Sequence, residues 1–324
     1  MSKAMVVHAV GGPEVLSWED RDPGTPGPGQ ILVRQKAAGV NFIDVYFRTG
    51  LYKAPSMPFV PGKEGAGTVT ALGDGVTRFA VGDRVAYNDA VGAYAEELVI
   101  KADSAVKLPE AIDEVTAAAV MLKGMTAEYL LRRTYPVGPG TVILFHAAAG
   151  GVGLIAGQWA KHLGATVIGT AGSAEKCALA LEHGYDHVIN YREEDFVARV
   201  LELTDGKKCD VVYDSVGKDT FPASLDCLKR RGLWATFGQS SGKLPDVDMA
   251  LLNQKGSLYA TRPSLFGYVT NRAELDESSG ALFDVIASGA VKVRIDQTYR
   301  LEDAATAHRD LEGRRTTGAT VLTI

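Results

Sequence analysis

The residues of this chain best suited to chemistry lie in Val142-Ile143-Leu144-Phe145-His146-Ala147-Ala148-Ala149-Gly150-Gly151-Val152-Gly153-Leu154. Against the spacing G-x-G-x-x-G, Ala148 takes the first place, and Gly150 and Gly153 take the second and third. Gly150 lets the backbone approach a pyrophosphate, and Gly153 lets a helix pack on a strand. The helix N-terminus that follows offers unpaired N–H groups to an anion. An apolar strand before the turn, an amphipathic helix after it and a second strand at 166–170 supply the context the motif needs. A glycine-tolerant turn with no ligand is the plain alternative. An NAD site usually places an acid about 20 residues on, to accept from the ribose 2′-hydroxyl. Here Thr170-Ala171-Gly172-Ser173 contains no acid and Lys176 follows. A missing acid and a nearby cation favour a 2′-phosphate, hence NADPH, against the reading of Lys176 as a solvated helix residue. Tyr191 and Arg192 follow the next strand and would close over the adenosine end.

Other chemistries lack material. Residues 1–176 contain no cysteine, and His8 is the only histidine before position 146. A zinc site needs three or four soft or imidazole ligands brought together, so no metal is expected. Nothing resembles a Ser/His/Asp hydrolase set.

Two textures of sequence must position these residues. Residues 1–110 are dense in Gly and Pro, with short apolar runs at 4–10, 31–38, 67–72, 84–87 and 94–100, the pattern of an antiparallel, barrel-like β domain. From Asp113, a plausible helix cap, 113–133 has helical spacing. Strands are then expected at 141–146, 166–170, 187–190, 210–214 and 233–237. Helices at 151–163, 174–182, 193–204 and 219–230 alternate with them. These strands are continuous apolar runs, as in a parallel sheet covered by helices on both faces. A strand over 256–260, a break at Arg262-Pro263, a helix at 281–288 and a last strand at 320–324 complete the pattern. The length, 324 residues, fits two domains.

The net charge of −5 argues against a nucleic-acid binder, which needs a basic face. No apolar run reaches the roughly 20 residues of a membrane helix. The N-terminus has no signal-peptide core, and three cysteines, Cys177, Cys209 and Cys227, suit a reducing compartment. The expected localisation is cytoplasmic.

With these residues in hand, the chain resembles the zinc-independent quinone oxidoreductases of the medium-chain dehydrogenase/reductase superfamily. The resemblance spans nearly the whole chain. It is carried by Gly11-Gly12-Pro13-Glu14-Val15-Leu16, Gly39-Val40-Asn41-Phe42-Ile43-Asp44, Arg48-Thr49-Gly50-Leu51-Tyr52, Ala147–Gly153 and Gly172-Ser173-Ala174-Glu175-Lys176. Asp214-Ser215-Val216-Gly217 and Asn253-Gln254-Lys255-Gly256-Ser257-Leu258 match the bacterial type closely, whereas Gly82-Asp83-Arg84-Val85 is common to the superfamily. Where zinc relatives read Gly-His-Glu, this chain reads Gly62-Lys63-Glu64.

The resemblance implies an α/β protein: a doubly wound Rossmann domain over 124–262, inserted into a GroES-like, mainly antiparallel β-barrel catalytic domain over 1–123 and 263–324. It implies NADPH contacts from Asn41, Tyr46, Gly150, Gly151, Val152, Gly172, Ser173, Lys176, Tyr191, Ser215, Phe237, Gly238, Gln239, Ser240, Pro263, Ser264, Leu265 and Arg315. The substrate implied is a quinone in the interdomain cleft, which needs no metal because its ring already accepts electrons strongly. The protein's tasks are to orient nicotinamide C4 and stabilise the developing oxyanion. Tyr46, Tyr52 and Asn41 are the candidates, Tyr46 first as hydrogen-bond donor to quinone oxygen. A packed Tyr46 ring with its hydroxyl satisfied locally is an equal reading.

Asp44 reads as a cap or loop anchor, His146 as a hydrogen-bonded structural residue, Lys123 as solvated by default though able to approach the cleft, and Cys177 and Cys227 as packing. Reduction of activated C=C bonds in enals or enones, and a non-catalytic or RNA-binding role, are the alternatives. Transfer of hydride and of single electrons both stay open. Ser257–Ala260 would be an edge strand pairing two subunits into a homodimer.

Overall fold

The structure, a computed structural model, describes residues 2–88 and 91–324. In chain order it begins β1 (Ser2–Val7), β2 (Leu16–Arg21), β3 (Gln30–Gly39), α1 (Phe42–Thr49), β4 (Glu64–Leu72), β5 (Arg84–Tyr87), β6 (Glu97–Lys101), β7 (Ala105–Lys107) and α2 (Glu114–Tyr129). There follow β8 (Val142–Phe145), α3 (Gly151–His162), β9 (Thr166–Ala171), α4 (Ala174–Leu181), β10 (His187–Asn190), α5 (Phe196–Leu203) and β11 (Cys209–Asp214). Then come α6 (Ala223–Asp226), β12 (Leu228–Thr236), α7 (Met249–Gln254), β13 (Tyr259–Thr261) and α8 (Leu265–Tyr268). The chain closes with α9 (Arg272–Ala287), β14 (Ile295–Arg300), α10 (Ala304–Glu312) and β15 (Ala319–Thr323). It divides into two compact units, one of Met1–Met125, Val269–Ala287 and Val293–Ile324, the other of Thr126–Tyr268 and Ser288–Lys292.

The first unit is built on a mainly antiparallel sheet in the order β14-β15-β3-β4-β5-β7, with β6 also on β3. β3 is its spine. Ile31, Val33, Gln35 and Ala37 turn inward while Arg34 and Lys36 face solvent, the period of two that a half-buried strand requires. β15 pairs with one end of β3 (Val321 opposite Gly39) and β6 with the other (Ile100 opposite Ile31). Met5, Val7, Val33, Val69, Val85 and Leu322 belong to its apolar core.

The second unit is a parallel sheet in the order β10-β9-β8-β11-β12-β13. It is doubly wound: the order reverses between β8 and β11, the switch point beside which such sheets bind ligands. Leu144, Ile168, Val212 and Trp234 anchor its core. The protein is therefore an α/β fold with a Rossmann-type sheet, and no helix among the described residues is long and apolar enough to cross a membrane.

Local expectations fail in identifiable places. The helix expected over 219–230 shrinks to α6, because Pro222 has no N–H to continue a helix through it. By Cys227 the chain is already pairing with β11, where Cys209 N–H donates to the Cys227 carbonyl at 2.8 Å. The helix expected from Ala281 starts at Arg272, since Leu275, Ser278 and Ser279 form a buried stripe within a polar stretch. The helix through Arg133 ends its regular part at Tyr129 and widens into a π-turn over Leu130–Thr134.

Candidate functional site

Because the strands of the second unit are parallel, their C-terminal ends share one edge. Gly150–Val152 follow β8, Gly172–Lys176 follow β9, Tyr191 follows β10, Ser215 follows β11, Phe237–Ser240 follow β12 and Pro263–Leu265 follow β13. The edge is ordered by backbone contacts. The turn after β8 bends at Ala147, a left-handed residue at φ +57°, and Gly150 N–H closes on the Ala147 carbonyl at 3.0 Å. A Cβ at Gly153 would sit 2.5 Å from the carbonyl oxygens of both Ala147 and Ala148, so α3 packs against the turn only with glycine there. Gly150 caps α3 with no side chain on its first N–H groups, which suits a pyrophosphate.

Next along the edge, Ser173 caps α4 by accepting from Lys176 N–H at 3.3 Å. A Cβ at Gly172 would meet the Tyr191 hydroxyl at 2.5 Å, so Tyr191 lies directly over this turn. A dinucleotide's adenosine end would meet Gly172, Ser173 and Tyr191 here, with Lys176 in the first turn of α4.

Two residues that sequence reasoning left unassigned organise the far side. Asp214, fully buried, accepts from the N–H groups of Val216 (2.9 Å) and Gly217 (3.0 Å) and from the hydroxyls of Thr220 and Ser224, fixing the Ser215 loop. Arg262 donates to the carbonyls of Thr236 (2.8 Å) and Gly238 (2.7 Å), tying β13 to the Phe237–Ser240 loop. Its signal in sequence was only the break at Arg262-Pro263. His146 sits beneath the edge, bonded to Thr170 Oγ1 at 2.9 Å and Ser224 Oγ at 3.0 Å, and burial holds its imidazole below the usual range. It is a structural residue, as its place at the end of a buried strand suggested.

In the first unit, Asn41 N–H donates to Asp44 Oδ2 at 2.9 Å and closes a capping box on α1, with Asn41 as the N-cap and Asp44, three residues on, taking part in the capping expected of it. Gly50, left-handed at φ +79°, ends the helix and turns the chain so that Tyr52 N–H reaches the Tyr46 carbonyl at 2.9 Å. Tyr46 and Tyr52 are thereby brought edge to face with centroids 5.1 Å apart, and Phe42 lies 6.2 Å from Tyr46. The Tyr46 ring is buried within this aromatic group. Arg315 is exposed and held by Asp310 at 2.5 Å.

Lys123 is not the solvated lysine expected. It is buried, 2.5 Å from Oε1 of Glu64, a carboxylate with no exposed surface. Asn41 Nδ2 reaches the same Oε1 at 2.8 Å, and Leu122 N–H reaches Oε2 at 2.6 Å. The partners are 58 and 59 residues apart in sequence, which hid the pair.

Behind α1 runs a second buried chain of bonds. Arg48 donates to His308 Nδ1 at 3.1 Å, and its other terminus meets Glu312 at 2.8 Å. Arginine only donates, so Nδ1 is unprotonated and the proton of the neutral ring is on Nε2. That N–H therefore points at the Tyr94 oxygen, 3.0 Å away, and the Tyr94 hydroxyl donates onward to Asp44 Oδ2 at 3.1 Å. Burial pushes the Asp44 carboxyl up to about 7 and, with Arg48 adding to it, His308 down to about 3.

Among the described residues no group of three or more His, Cys, Asp or Glu side chains is placed to hold a metal ion. Glu64, a fully buried carboxylate, is taken up by Lys123 and Asn41, a donor set that does not fit zinc.

Residues 27–110 match the alcohol dehydrogenase GroES-like domain and residues 151–284 the zinc-binding dehydrogenase family. A quinone oxidoreductase of Pseudomonas aeruginosa is 54% identical over 99% of both chains. A 2-haloacrylate reductase of a Burkholderia species is 46% identical over 99% of both. Among solved structures, Escherichia coli quinone oxidoreductase complexed with NADPH is similar at a TM-score of 0.98 and 54% identity, covering 99% of this chain and 100% of that one.

Proposed function

Because the chain belongs to the quinone oxidoreductase family of the medium-chain dehydrogenase/reductase superfamily, we propose that it is an NADPH-dependent, zinc-independent quinone reductase. The observation that carries this is the edge of the second unit, where the residues expected to hold the cofactor follow successive parallel strands. Bound NADPH supplies the hydride at nicotinamide C4. Everything else is asked of the protein. The N–H groups of Gly151, Val152 and Gly153 receive the pyrophosphate, while Lys176 and Tyr191 receive the adenosine 2′-phosphate. Ser215, the Phe237–Ser240 loop and Pro263–Leu265 line the rest of the dinucleotide, and Arg315 approaches its phosphates. The second unit, expected over 124–262, is the NADPH-binding domain, and the first, expected over 1–123 and 263–324, is the catalytic domain.

Tyr46, with Tyr52 against its ring, donates to the quinone oxygen, and Asn41 orients the nicotinamide side. No Lewis acid is needed, since a quinone accepts electrons without carbonyl polarisation, and the Glu64 environment supports a metal-free reading. The enzyme works in the cytoplasm as a homodimer paired through β13, whose Tyr259 is 62% exposed on the sheet edge. It binds no nucleic acid, in keeping with its net charge of −5.

The test is loss of NADPH absorbance with ortho- and para-quinones, alongside NADH and a 2-haloacrylate or enone. Turnover of quinones with NADPH and little with NADH is expected. Lys176→Ala should raise the KM for NADPH about tenfold, the worth of one charge-assisted phosphate contact, and leave that for NADH unchanged. Turnover of the 2-haloacrylate or enone alone would move the function to C=C reduction; the Burkholderia relative is named a 2-haloacrylate reductase.

A further inference from the structure

The Glu64–Lys123 pair is left over when the fold and the cofactor edge have been accounted for, and it is an unusual thing to bury. The Lys123 side chain is 7% exposed and that of Glu64 is 0% exposed. Such a pair gains little stability over apolar residues of the same volume. Both oxygens of Glu64 are engaged: Oε1 takes Lys123 Nζ and Asn41 Nδ2, and Oε2 takes Leu122 N–H. Lys123 is engaged less. An ammonium has three N–H donors, and Glu64 is the partner recorded for it among the described residues. A buried charged donor with N–H groups to spare calls for an acceptor.

The position of that spare capacity is informative. Lys123 and Asn41 converge on one carboxylate oxygen, and Asn41 is the cap of α1, the helix that carries Tyr46. The ionisable groups around the pair are Asp44 on α1, Tyr87 on β5 and Tyr94 ahead of β6, each feeling the charge of Glu64. Asp44 also feels that of Lys123. Two further cations lie nearby: Arg48, which acts on Tyr94, is taken up by His308 and Glu312, and buried Lys63 precedes Glu64 in the chain, so Lys123 is the cation paired with Glu64 itself.

We propose that Lys123 is a further catalytic residue, whose ammonium donates a hydrogen bond and then a proton to the acceptor oxygen that becomes negative during reduction. This rests on the quinone-reductase reading. As hydride adds to the quinone, the displaced electron pair collects on a carbonyl oxygen. A Lys123 N–H bond breaks, an O–H bond forms there, and the amine recovers its proton from water. One quinone, one NADPH and one proton give one hydroquinone and one NADP+. Glu64 aims Lys123 through their contact, and is a positioning residue.

The test uses the full chain with and without NADPH. In Lys123→Met, kcat for quinone should fall roughly a hundredfold, the usual loss for one oxyanion donor, with the NADPH Kd by fluorescence within about twofold. A second readout needs no turnover. 4-Nitrophenol, whose phenolate is yellow, should bind the wild-type protein as phenolate at a pH where it is mostly neutral in water. It should bind Lys123→Met as the colourless phenol. Retention of kcat within about threefold together with the phenolate colour would make Lys123 a mere counter-ion and overturn the proposal. Should Lys123→Met fail to fold, the Glu64→Gln/Lys123→Met double variant removes both charges at similar volume, and the same two readouts decide. Absence of quinone turnover in the wild-type protein would sink the quinone reading alone. The phenolate colour would then still decide for or against Lys123 as an oxyanion donor.

Discussion

Burial moves Asp44 up to about 7 and His308 down to about 3, although one hydroxyl, that of Tyr94, touches both. The effects on stability are opposite. Between about pH 4 and 7 the folded chain keeps a proton on Asp44 that the unfolded chain has released, so this residue's contribution falls as pH rises. Between about 6.5 and 3 the unfolded chain protonates His308 while the fold refuses to, so stability is lost as pH falls. Each group alone imposes a slope of up to about 1.4 kcal/mol per pH unit, and over the shared window they offset each other. Denaturant melts from pH 4 to 7 should therefore show a steeper acid loss for Asp44→Asn than for wild type, and a shallower one for His308→Gln. Parallel curves for all three proteins would disprove the assignment. None of this was legible in sequence, because Tyr94 and His308 lie 214 residues apart and only the fold closes the gap. The part of Asp44 in the capping was legible, since its partner Asn41 is three residues away.

At the level of elements, the turn between β8 and α3 leaves little freedom. Gly153→Ala puts a methyl 2.5 Å from two backbone oxygens that cannot move without displacing the turn itself. Overpacking of this kind costs about 1–3 kcal/mol, and NADPH affinity should drop with it because the first turn of α3 tilts. Gly138→Ala, where nothing lies within 4 Å of the added carbon, is the matched control and should melt like wild type. Equal melting of the two variants would show that α3 adjusts freely. The same turn explains which elements could be read in advance. Strands such as Val142–Phe145 and Cys209–Asp214 are buried on both faces, so an unbroken apolar run announces them. α9 was half missed because its buried stripe includes serines, and the start of β12, Leu228 to Arg230, read as helix because a strand that bulges at Arg231, φ +60°, has no simple period. The site divides the same way. Gly150, Gly153 and Gly172 are marked by short-range spacing, whereas Lys123 and Arg262 act on groups from other elements.

For the whole molecule, pairing through β13 predicts a dimer by light scattering at micromolar concentration. Tyr259→Asp, which adds charge to an exposed edge, should shift it towards monomer without altering the melting of either unit. A wild-type monomer across that range would remove the proposal. The path of the chain has a consequence for its synthesis. The second unit is almost one continuous stretch, Thr126–Tyr268, whereas the first waits for β14 and β15. Residues 37–39 of β3 gain their outer neighbour only when Val321, Leu322 and Thr323 have been made. On the ribosome the later-numbered unit is thus nearly finished while the earlier-numbered one still shows an open strand edge. The interval in which this protein is most exposed to mispairing or aggregation is set by its last strand, far in sequence from the edge it covers.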